Sequence, residues 1–284
     1  MLNNNVTEKK TKDNIVELHI KDPGFSVTEA FNTLRTNIMF SGENIKTVMV
    51  TSTNPAEGKS FIAMQLAKSF ADINKKVVYI DCDLRKSVTL SRYKIRGKRA
   101  GLTEYITGQR SQLIYETNIP NLAVILSGHV VPNPIELMES KKFDDLLSVL
   151  RERFDYVIID SPPVGSVVDA CVIAPKVDGT VMVVRSDAVG RSHAIQAKKQ
   201  LEKSKGRILG VALNGVGTHK GSYYYKNDAS YYGEYYNEEQ SEEKPKGKQG
   251  DTQCPVFVFV CTYITVSCFV GETCFTRDNS FIRI

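Results

Sequence analysis

Short apolar runs alternate with amphipathic stretches along residues 25–216 of this chain. Runs of Val and Ile without in/out alternation predict strands that are buried on both faces, and the amphipathic stretches between them predict helices. This alternation predicts an α/β fold in which a mostly parallel central sheet is flanked by helices. The predicted strands are 47–51, 77–80, 122–126, 156–159, 180–184 and 208–213, and the predicted helices are 27–40, 58–70 and stretches near 101–107, 135–152, 168–175 and 190–204.

The same pattern divides the 284 residues into four parts. Residues 1–24 are polar and predict a flexible N-terminal arm, whereas residues 25–216 predict one folded domain. Residues 217–250 carry a tyrosine cluster and then a charged stretch whose composition predicts a disordered tail. Residues 251–284 are an apolar, cysteine-containing extension, and two interpretations stay open: a non-native extension, or a hairpin or membrane-touching segment.

Composition narrows the function classes. The formal charge of +5 is dispersed, and no Lys/Arg block is dense enough to indicate a nucleic-acid partner. The N-terminus lacks the apolar core of a signal peptide, and no stretch before residue 250 reaches the roughly eighteen apolar residues of a spanning helix. These features predict a cytoplasmic protein. The spacing of Cys254, Cys261, Cys268 and Cys274 does not match a zinc pattern, so we expect no metal site there.

A polar loop joins the first strand of the predicted domain to its first long helix. In this loop Gly58-Lys59-Ser60 matches the core of a Walker A motif. In such a motif the lysine, here Lys59, reaches the β- and γ-phosphates, and the hydroxyl, here that of Ser60, ligates Mg²⁺. Thr53 stands where the general pattern has its first glycine, but the strand–loop–helix context favours an ATP site over an ordinary capped helix. The residues expected to contact the nucleotide are Asn54, Pro55, Ala56, Glu57, Gly58, Lys59, Ser60 and Phe61.

Two further motifs place carboxylates at strand ends. Asp81 and Asp83 follow a buried strand at the edge where open α/β sheets bind ligands, and a spacing of two directs both side chains the same way while strand geometry lasts. Paired acids repel each other, which favours Mg²⁺ ligation or acceptance of a proton over a solvated strand end. Asp81 and Asp83 are therefore both candidates for either task. Asp160 ends another apolar run as a Walker B carboxylate for Mg²⁺ or its water.

Seven of the thirteen tyrosines lie within fourteen residues. Gly, Ser, Asn, Asp and Lys interleave with them and no apolar periodicity frames them, so they do not have the pattern of a core. Because an ATP site is predicted in the same chain, the cluster is a candidate phosphate acceptor rather than merely low-complexity sequence. The candidate acceptors are Tyr223, Tyr224, Tyr225, Tyr231, Tyr232, Tyr235 and Tyr236.

Together these motifs resemble the bacterial tyrosine kinases of the capsular and exopolysaccharide synthesis type. The resemblance covers residues 25–236 approximately, and the segments 101–105 and 132–137 also match the family. The resemblance implies a P-loop NTPase fold, ATP and Mg²⁺ as cofactors, and protein-tyrosine phosphorylation, including autophosphorylation of the terminal cluster between subunits. It implies that Lys59 offsets charge on the transferred phosphoryl group and that Asp81 accepts the phenolic proton or shares the metal. Asp83 and Arg85 complete the implied catalytic set. The implied metal ligands are Ser60, Asp83 and Asp160.

The resemblance also implies partners. A separate chain of this type is activated by a transmembrane polysaccharide co-polymerase-type protein, which holds it at the inner face of the cell membrane, and a cognate phosphotyrosine phosphatase is expected. The family assembles into rings through a Glu-x-x-Arg-x-x-Arg helix. Here that helix carries Glu29, Asn32 and Arg35, so Asn32 replaces the middle arginine and puts the strength of the contact in question.

Other functions stay open at the level of sequence. A partitioning or site-placement ATPase would have a second lysine where this chain has Asn54, and it would give no reason for the clustered tyrosines. A non-catalytic ATP-binding regulator would not need Lys59 and all three aspartates. Asn214, just after the last predicted strand, either contacts the adenine or forms a turn with Gly215.

Overall fold

The computed structural model describes residues 14–97, 99–186 and 188–216. Its strands are β1 (Ile15–Val16), β2 (Thr47–Ser52), β3 (Val77–Asp81), β4 (Tyr115–Thr117), β5 (Leu122–Ile125), β6 (Tyr156–Asp160), β7 (Gly179–Arg185) and β8 (Ile208–Asn214). Its helices are α1 (Phe25–Phe40), α2 (Lys59–Ala71), α3 (Thr89–Arg92), α4 (Leu102–Ile106), α5 (Pro134–Glu139), α6 (Lys141–Arg153), α7 (Asp169–Ile173) and α8 (Arg191–Lys203), with a 3-10 turn at Ala174–Lys176.

The strands form one sheet in the order β1-β4-β5-β3-β6-β2-β7-β8, in which β4 and β5 pair antiparallel and the other pairs are parallel. One face packs against α1 and α2, and the other packs against helices from α5 to α8. Because helices cover both faces, β2 and β3 are buried at every residue, which explains their unbroken apolar runs. The predicted mostly parallel sheet with flanking helices is confirmed.

Residues 14–24 differ from the flexible arm that the sequence predicted. β1 pairs with β4, and the exposed fractions of Val16 and Leu18 are only 2% and 3%. The Asn118 side chain accepts a hydrogen bond from the Leu18 amide at 2.7 Å and donates one to the Leu18 carbonyl at 3.2 Å. Val16, Leu18 and Ile20 alternate with polar residues, which is the period of a half-buried strand, but the run is too short to stand out.

The helix predicted near 135–152 is two helices, α5 and α6, which meet at Ser140. Ser140 has extended backbone angles (φ −66°, ψ 146°), and its hydroxyl accepts a hydrogen bond from the Phe143 amide at 3.3 Å. A serine in this position is a favourable N-cap, because its side chain satisfies one of the free amides of the first turn. The local capping preference therefore ends one helix and begins the next.

Among the described residues, no helix combines the length and apolar character that crossing a membrane requires. The tyrosine cluster, the polar tail and the extension at 251–284 all lie outside the described residues. The expectations for those segments, including the seven candidate acceptors, stay predictions.

Candidate active site

The three sequence motifs meet at one edge of the sheet. β3, β6 and β2 are neighbours and run parallel, so their carboxyl ends lie side by side. Asp81 and Asp160 are direct register partners on β3 and β6, and β2 leads from Ser52 into the Walker-type loop at 53–58. The topology, rather than any proximity in sequence, therefore brings Lys59, Asp83 and Asp160 together.

The loop at 53–58 has a left-handed backbone at two residues. Gly58 has φ 95°, and a side-chain carbon added there would lie 2.1 Å from the Asn214 side-chain nitrogen. That nitrogen donates a hydrogen bond to the Glu57 carbonyl at 2.7 Å, so the last residue of β8 holds the loop against the start of α2. Ala56 also has a positive φ, 64°, a left-handed conformation that a glycine would adopt without strain.

Glu57 holds the loop from the inside. Its carboxylate oxygens accept hydrogen bonds from the Thr53 amide at 3.0 Å and from the Asn54 amide at 2.9 Å, and its exposed fraction is 2%. Burial raises the pKa of Glu57 to about 7 although both amide hydrogen bonds act in the opposite direction. The sequence predicted Glu57 as a nucleotide contact, whereas the geometry gives its side chain a role in shaping the loop.

Lys59 is the charge centre of the site. Its Nζ lies 3.1 Å from Asp83 Oδ2, 3.2 Å from the Ser60 hydroxyl and 3.5 Å from Asp160 Oδ1. Burial alone would lower the pKa of Lys59, but the carboxylates of Asp160 and Asp83 outweigh burial and raise it. The ammonium group therefore keeps its charge in a nearly closed environment.

The carboxyl groups of Asp81 and Asp160, near Lys59, are almost fully buried. Burial raises the pKa of both Asp81 and Asp160, and the negative charge of Asp160 raises that of Asp81 further. Tyr79 donates a hydrogen bond to Asp160 Oδ2 at 3.0 Å, while Asp81 accepts from the Asp83 amide at 3.1 Å and from the Ser87 hydroxyl. More negative than positive charge is gathered here, so the site favours an added cation.

These residues fit a nucleotide with a divalent cation. Carboxylate and hydroxyl oxygens of Ser60, Asp83 and Asp160 converge on one ammonium, and these are the ligand types that Mg²⁺ prefers. Thr53 carries a buried hydroxyl that has no hydrogen-bond partner within the described part of the chain, and it lies in the loop expected to surround phosphates. A cavity of about 510 Å³ adjoins the loop and is lined by residues that include Pro55, Ala56, Arg185 and Gly215.

Two predicted site residues contact other parts of the fold. Arg85 donates two hydrogen bonds to the Asp169 carboxylate, from Nε at 2.8 Å and from Nη2 at 3.0 Å. The side chain of Asp169 is 1% exposed and stands at the start of α7, so this pair links the segment after β3 to the segment after β6. The Phe61 ring packs edge-on against Phe31 of α1, with 6.0 Å between ring centroids.

Comparisons with known proteins agree with this geometry. An AAA domain family model matches residues 45–197. Tyrosine-protein kinase CpsD of Streptococcus pneumoniae serotype 4 is 44% identical over 188 residues, which cover 66% of this chain and 83% of that protein. Putative tyrosine-protein kinase CapB of Staphylococcus aureus is 36% identical over 230 residues, which cover 79% of this chain and 99% of that protein.

A solved structure gives the same result. The kinase domain of Escherichia coli tyrosine kinase ETK superposes with a TM-score of 0.65 at 30% sequence identity, covering 69% of this chain and 78% of that structure. The family model spans the loop at 53–60, the acidic pair at 81 and 83, and Asp160. The matched region therefore contains every charged group gathered around Lys59.

Proposed function

Because this chain belongs to the bacterial tyrosine kinases of the capsular and exopolysaccharide synthesis type, we propose that it transfers the γ-phosphate of ATP to the tyrosines of its own C-terminal cluster. Its relatives are named protein-tyrosine kinases, and its fold is that of a nucleotide-binding P-loop domain. The observation that carries the proposal is the convergence of Lys59 with Ser60, Asp83 and Asp160 within 3.5 Å.

The reaction requires one bond to form and one to break. The phenolic oxygen of the acceptor forms a bond to the γ-phosphorus, the bond from that phosphorus to the β,γ-bridging oxygen breaks, and ADP leaves. Lys59 offsets the negative charge on the transferred phosphoryl group, and the amides at the start of α2 orient the phosphates. Positioning and electrostatic stabilisation supply most of the catalysis in such a transfer.

Asp81 is the proposed acceptor of the phenolic proton. Burial and the neighbouring Asp160 raise its pKa, which makes its carboxylate more basic than that of an exposed aspartate. A phenol has a pKa of about 10, so orientation of the hydroxyl matters more than the strength of the base. The hydrogen bonds from the Asp83 amide and the Ser87 hydroxyl hold the Asp81 carboxylate in one orientation.

Ser60, Asp83 and Asp160 are the residues that would hold Mg²⁺. When bound, the ion supplies positive charge that neutralises the phosphate oxygens. The nucleoside is proposed to occupy the cavity beside Pro55, Ala56 and Arg185, with Asn214 fixing the loop under it. Arg85 contributes to the site through Asp169 rather than by direct contact with Lys59.

The proposed setting follows from the family. We expect a transmembrane polysaccharide co-polymerase-type activator to hold the kinase at the inner face of the membrane, a phosphatase to reverse the modification, and the process to regulate polysaccharide export. We also expect a ring-type homo-oligomer that uses α1. In α1, Asn32 accepts a hydrogen bond from Arg35 and donates one to Glu29. These three side chains of the expected contact surface therefore already hydrogen-bond to one another within one chain.

The test is to incubate the full chain and a co-polymerase-type activator with ATP and Mg²⁺, and to map phosphotyrosine by mass spectrometry. We expect phosphate on tyrosines within 223–236 and its loss in Lys59→Met. Lys68→Met, in the same helix but outside the site, is the matched control and should keep full labelling. Normal labelling of Lys59→Met would sink the mechanism, and ATP hydrolysis without phosphotyrosine would favour the ATPase alternative.

A further inference from the structure

A run of basic residues follows directly after the Asp81 and Asp83 motif. Residues 85–97, here called the basic segment, contain five Lys or Arg and no Asp or Glu. Arg92, Lys94 and Arg96 are exposed, and within the described part of the chain their side chains have no hydrogen bond or ion pair. An array of cations without partners creates a positive field that attracts acidic ligands.

The basic segment is anchored on the groups of the active site. The Tyr93 hydroxyl donates a hydrogen bond to the Ser60 carbonyl at 3.2 Å, and the exposed fraction of Tyr93 is 4%. The Thr89 hydroxyl lies 3.1 Å from the hydroxyl of Tyr79, which in turn donates to Asp160. These two buried side chains therefore attach the basic segment to residues of the site, and the exposed cations between and after them are candidates to bind an acceptor.

The tail of the same protein carries the complementary charge. Residues 231–243 contain five Glu and no Lys or Arg, and they include Tyr231, Tyr232, Tyr235 and Tyr236. The other half of the cluster differs, because Tyr223, Tyr224 and Tyr225 are followed by Lys226. The two halves therefore differ in charge although both are rich in tyrosine.

We propose that the basic segment is a docking surface for the acidic tyrosine segment at 231–243 of a neighbouring copy of this chain. The inference rests on the proposed function and names its acceptor class: tyrosines that have glutamates within a few residues. Opposite charges accelerate the encounter and fix the orientation of the peptide, and both effects weaken with salt. The account predicts that the tyrosines of 231–243 are phosphorylated before those of 223–225.

The experiment measures phosphorylation of synthetic peptides by the full chain, supplied with its activator and with its seven cluster tyrosines replaced by Phe. The acceptors are a peptide of residues 229–243, the same peptide with its five Glu changed to Lys, and a peptide of residues 219–229. The enzymes are the chain as it is and a variant with Arg92→Glu, Lys94→Glu and Arg96→Glu. A control variant reverses three exposed lysines of α6 and α8, namely Lys141, Lys199 and Lys203.

We expect the reversed basic segment to raise KM for the acidic peptide about tenfold at low ionic strength with little change in kcat, and high salt to reduce the difference. The charge-reversed variant should also prefer the lysine-containing peptide over the acidic one, a preference that a merely structural defect would not produce. ADP affinity and Tm should match those of the unchanged chain, because the three residues are exposed. The control variant should keep the original KM.

Three results would overturn the proposal. Equal KM values for all enzyme and peptide pairs would contradict the docking surface but would leave the proposed kinase function standing. Loss of binding to phosphatidylserine-containing vesicles, with unchanged peptide kinetics, would assign the basic segment to the membrane instead. No transfer to any peptide by the unchanged chain would overturn the proposed function itself, and the docking surface with it.

Discussion

At the scale of single residues, the site concentrates charge that a protein interior rarely tolerates. Lys59 lies within ion-pair distance of Asp83 and Asp160, and Asp81 is the direct strand partner of Asp160. Burial raises the pKa of both Asp81 and Asp160. Their ionised forms are therefore unfavourable in the folded chain unless positive charge is nearby. A nucleotide-bound divalent cation would supply such charge, which gives a physical reason for the proposed Mg²⁺ site.

The Gly58→Ala change tests the backbone of the phosphate loop. Gly58 has φ 95°, and a Cβ there would lie 2.1 Å from the Asn214 side-chain nitrogen, so both the conformation and the contact must change. We expect the free energy of unfolding to fall by about 2 kcal/mol, measured by urea denaturation, together with weaker ADP binding. Ala56→Gly in the same loop is the control, because a glycine adopts that left-handed conformation freely, and it should cost no stability. Equal stability of Gly58→Ala and the unchanged chain would contradict this geometry.

The buried Glu57 predicts a pH dependence of stability. Its pKa in the folded chain is raised from 4.5 to about 7, so the folded chain holds this proton more tightly than the unfolded chain does. The corresponding stability is fully present below pH 4.5 and is lost as the pH rises through 7. Glu57→Gln should flatten this part of the profile of unfolding free energy against pH, measured without nucleotide. Parallel profiles for the two chains would be evidence against a buried, proton-binding Glu57, and Glu17→Gln at an exposed position serves as control.

At the scale of elements, the positions of strands are predicted best where a single local pattern determines them. β2, β3 and β6 begin at the predicted residues because long apolar runs leave no other place for a strand to start. β1 and β4 were missed because strands of two and three residues carry too little pattern. The contacts of Tyr79 with Asp160 and of Arg85 with Asp169 depend on which strands become neighbours, and that information is not local.

The ion pair between Arg85 and Asp169 predicts a coupling between two segments at the site. Arg85→Ala leaves the buried Asp169 carboxylate without its bidentate partner, and we expect a loss of about 2 kcal/mol in unfolding free energy, since partial exposure of Arg85 moderates the cost. Arg85→Lys keeps the charge but not both hydrogen bonds, so it should lose less.

A double-mutant cycle with Asp169→Asn isolates this pair. The double variant should lose less than the sum of the two single changes, because the second change removes the carboxylate that the first leaves unpaired. Strict additivity would show that the pair does not link the two segments. Chemical denaturation and kcat should be measured on all four proteins, with kcat falling in the single variants as the segment that carries Asp83 loses its anchor.

At the scale of the whole molecule, the chain combines a phosphate-transfer domain with its own candidate acceptors. The domain predicted at 25–216 contains the sheet from β2 to β8, and the structure adds β1 at its edge. The Walker-type motifs could be recognised in the sequence because they have a fixed order along the chain and a fixed place at strand ends. The structure brings Lys59, Ser60, Asp83 and Asp160 together there, and their roles stay a proposal. The seven acceptor tyrosines are predicted from composition and from the family alone.

The most direct measurement of the central claim is transfer between two marked chains. One chain is active but has Phe at all seven cluster tyrosines, and the other carries Lys59→Met with its tail unchanged. Mixed with activator, Mg²⁺ and ATP labelled at the γ-phosphate, the pair should place label on tyrosines within 223–236 of the Lys59→Met chain, and neither chain alone should do so. A Lys59→Met tail that stays unlabelled while the active chain consumes ATP would contradict the claim that this site phosphorylates the cluster of a neighbouring copy.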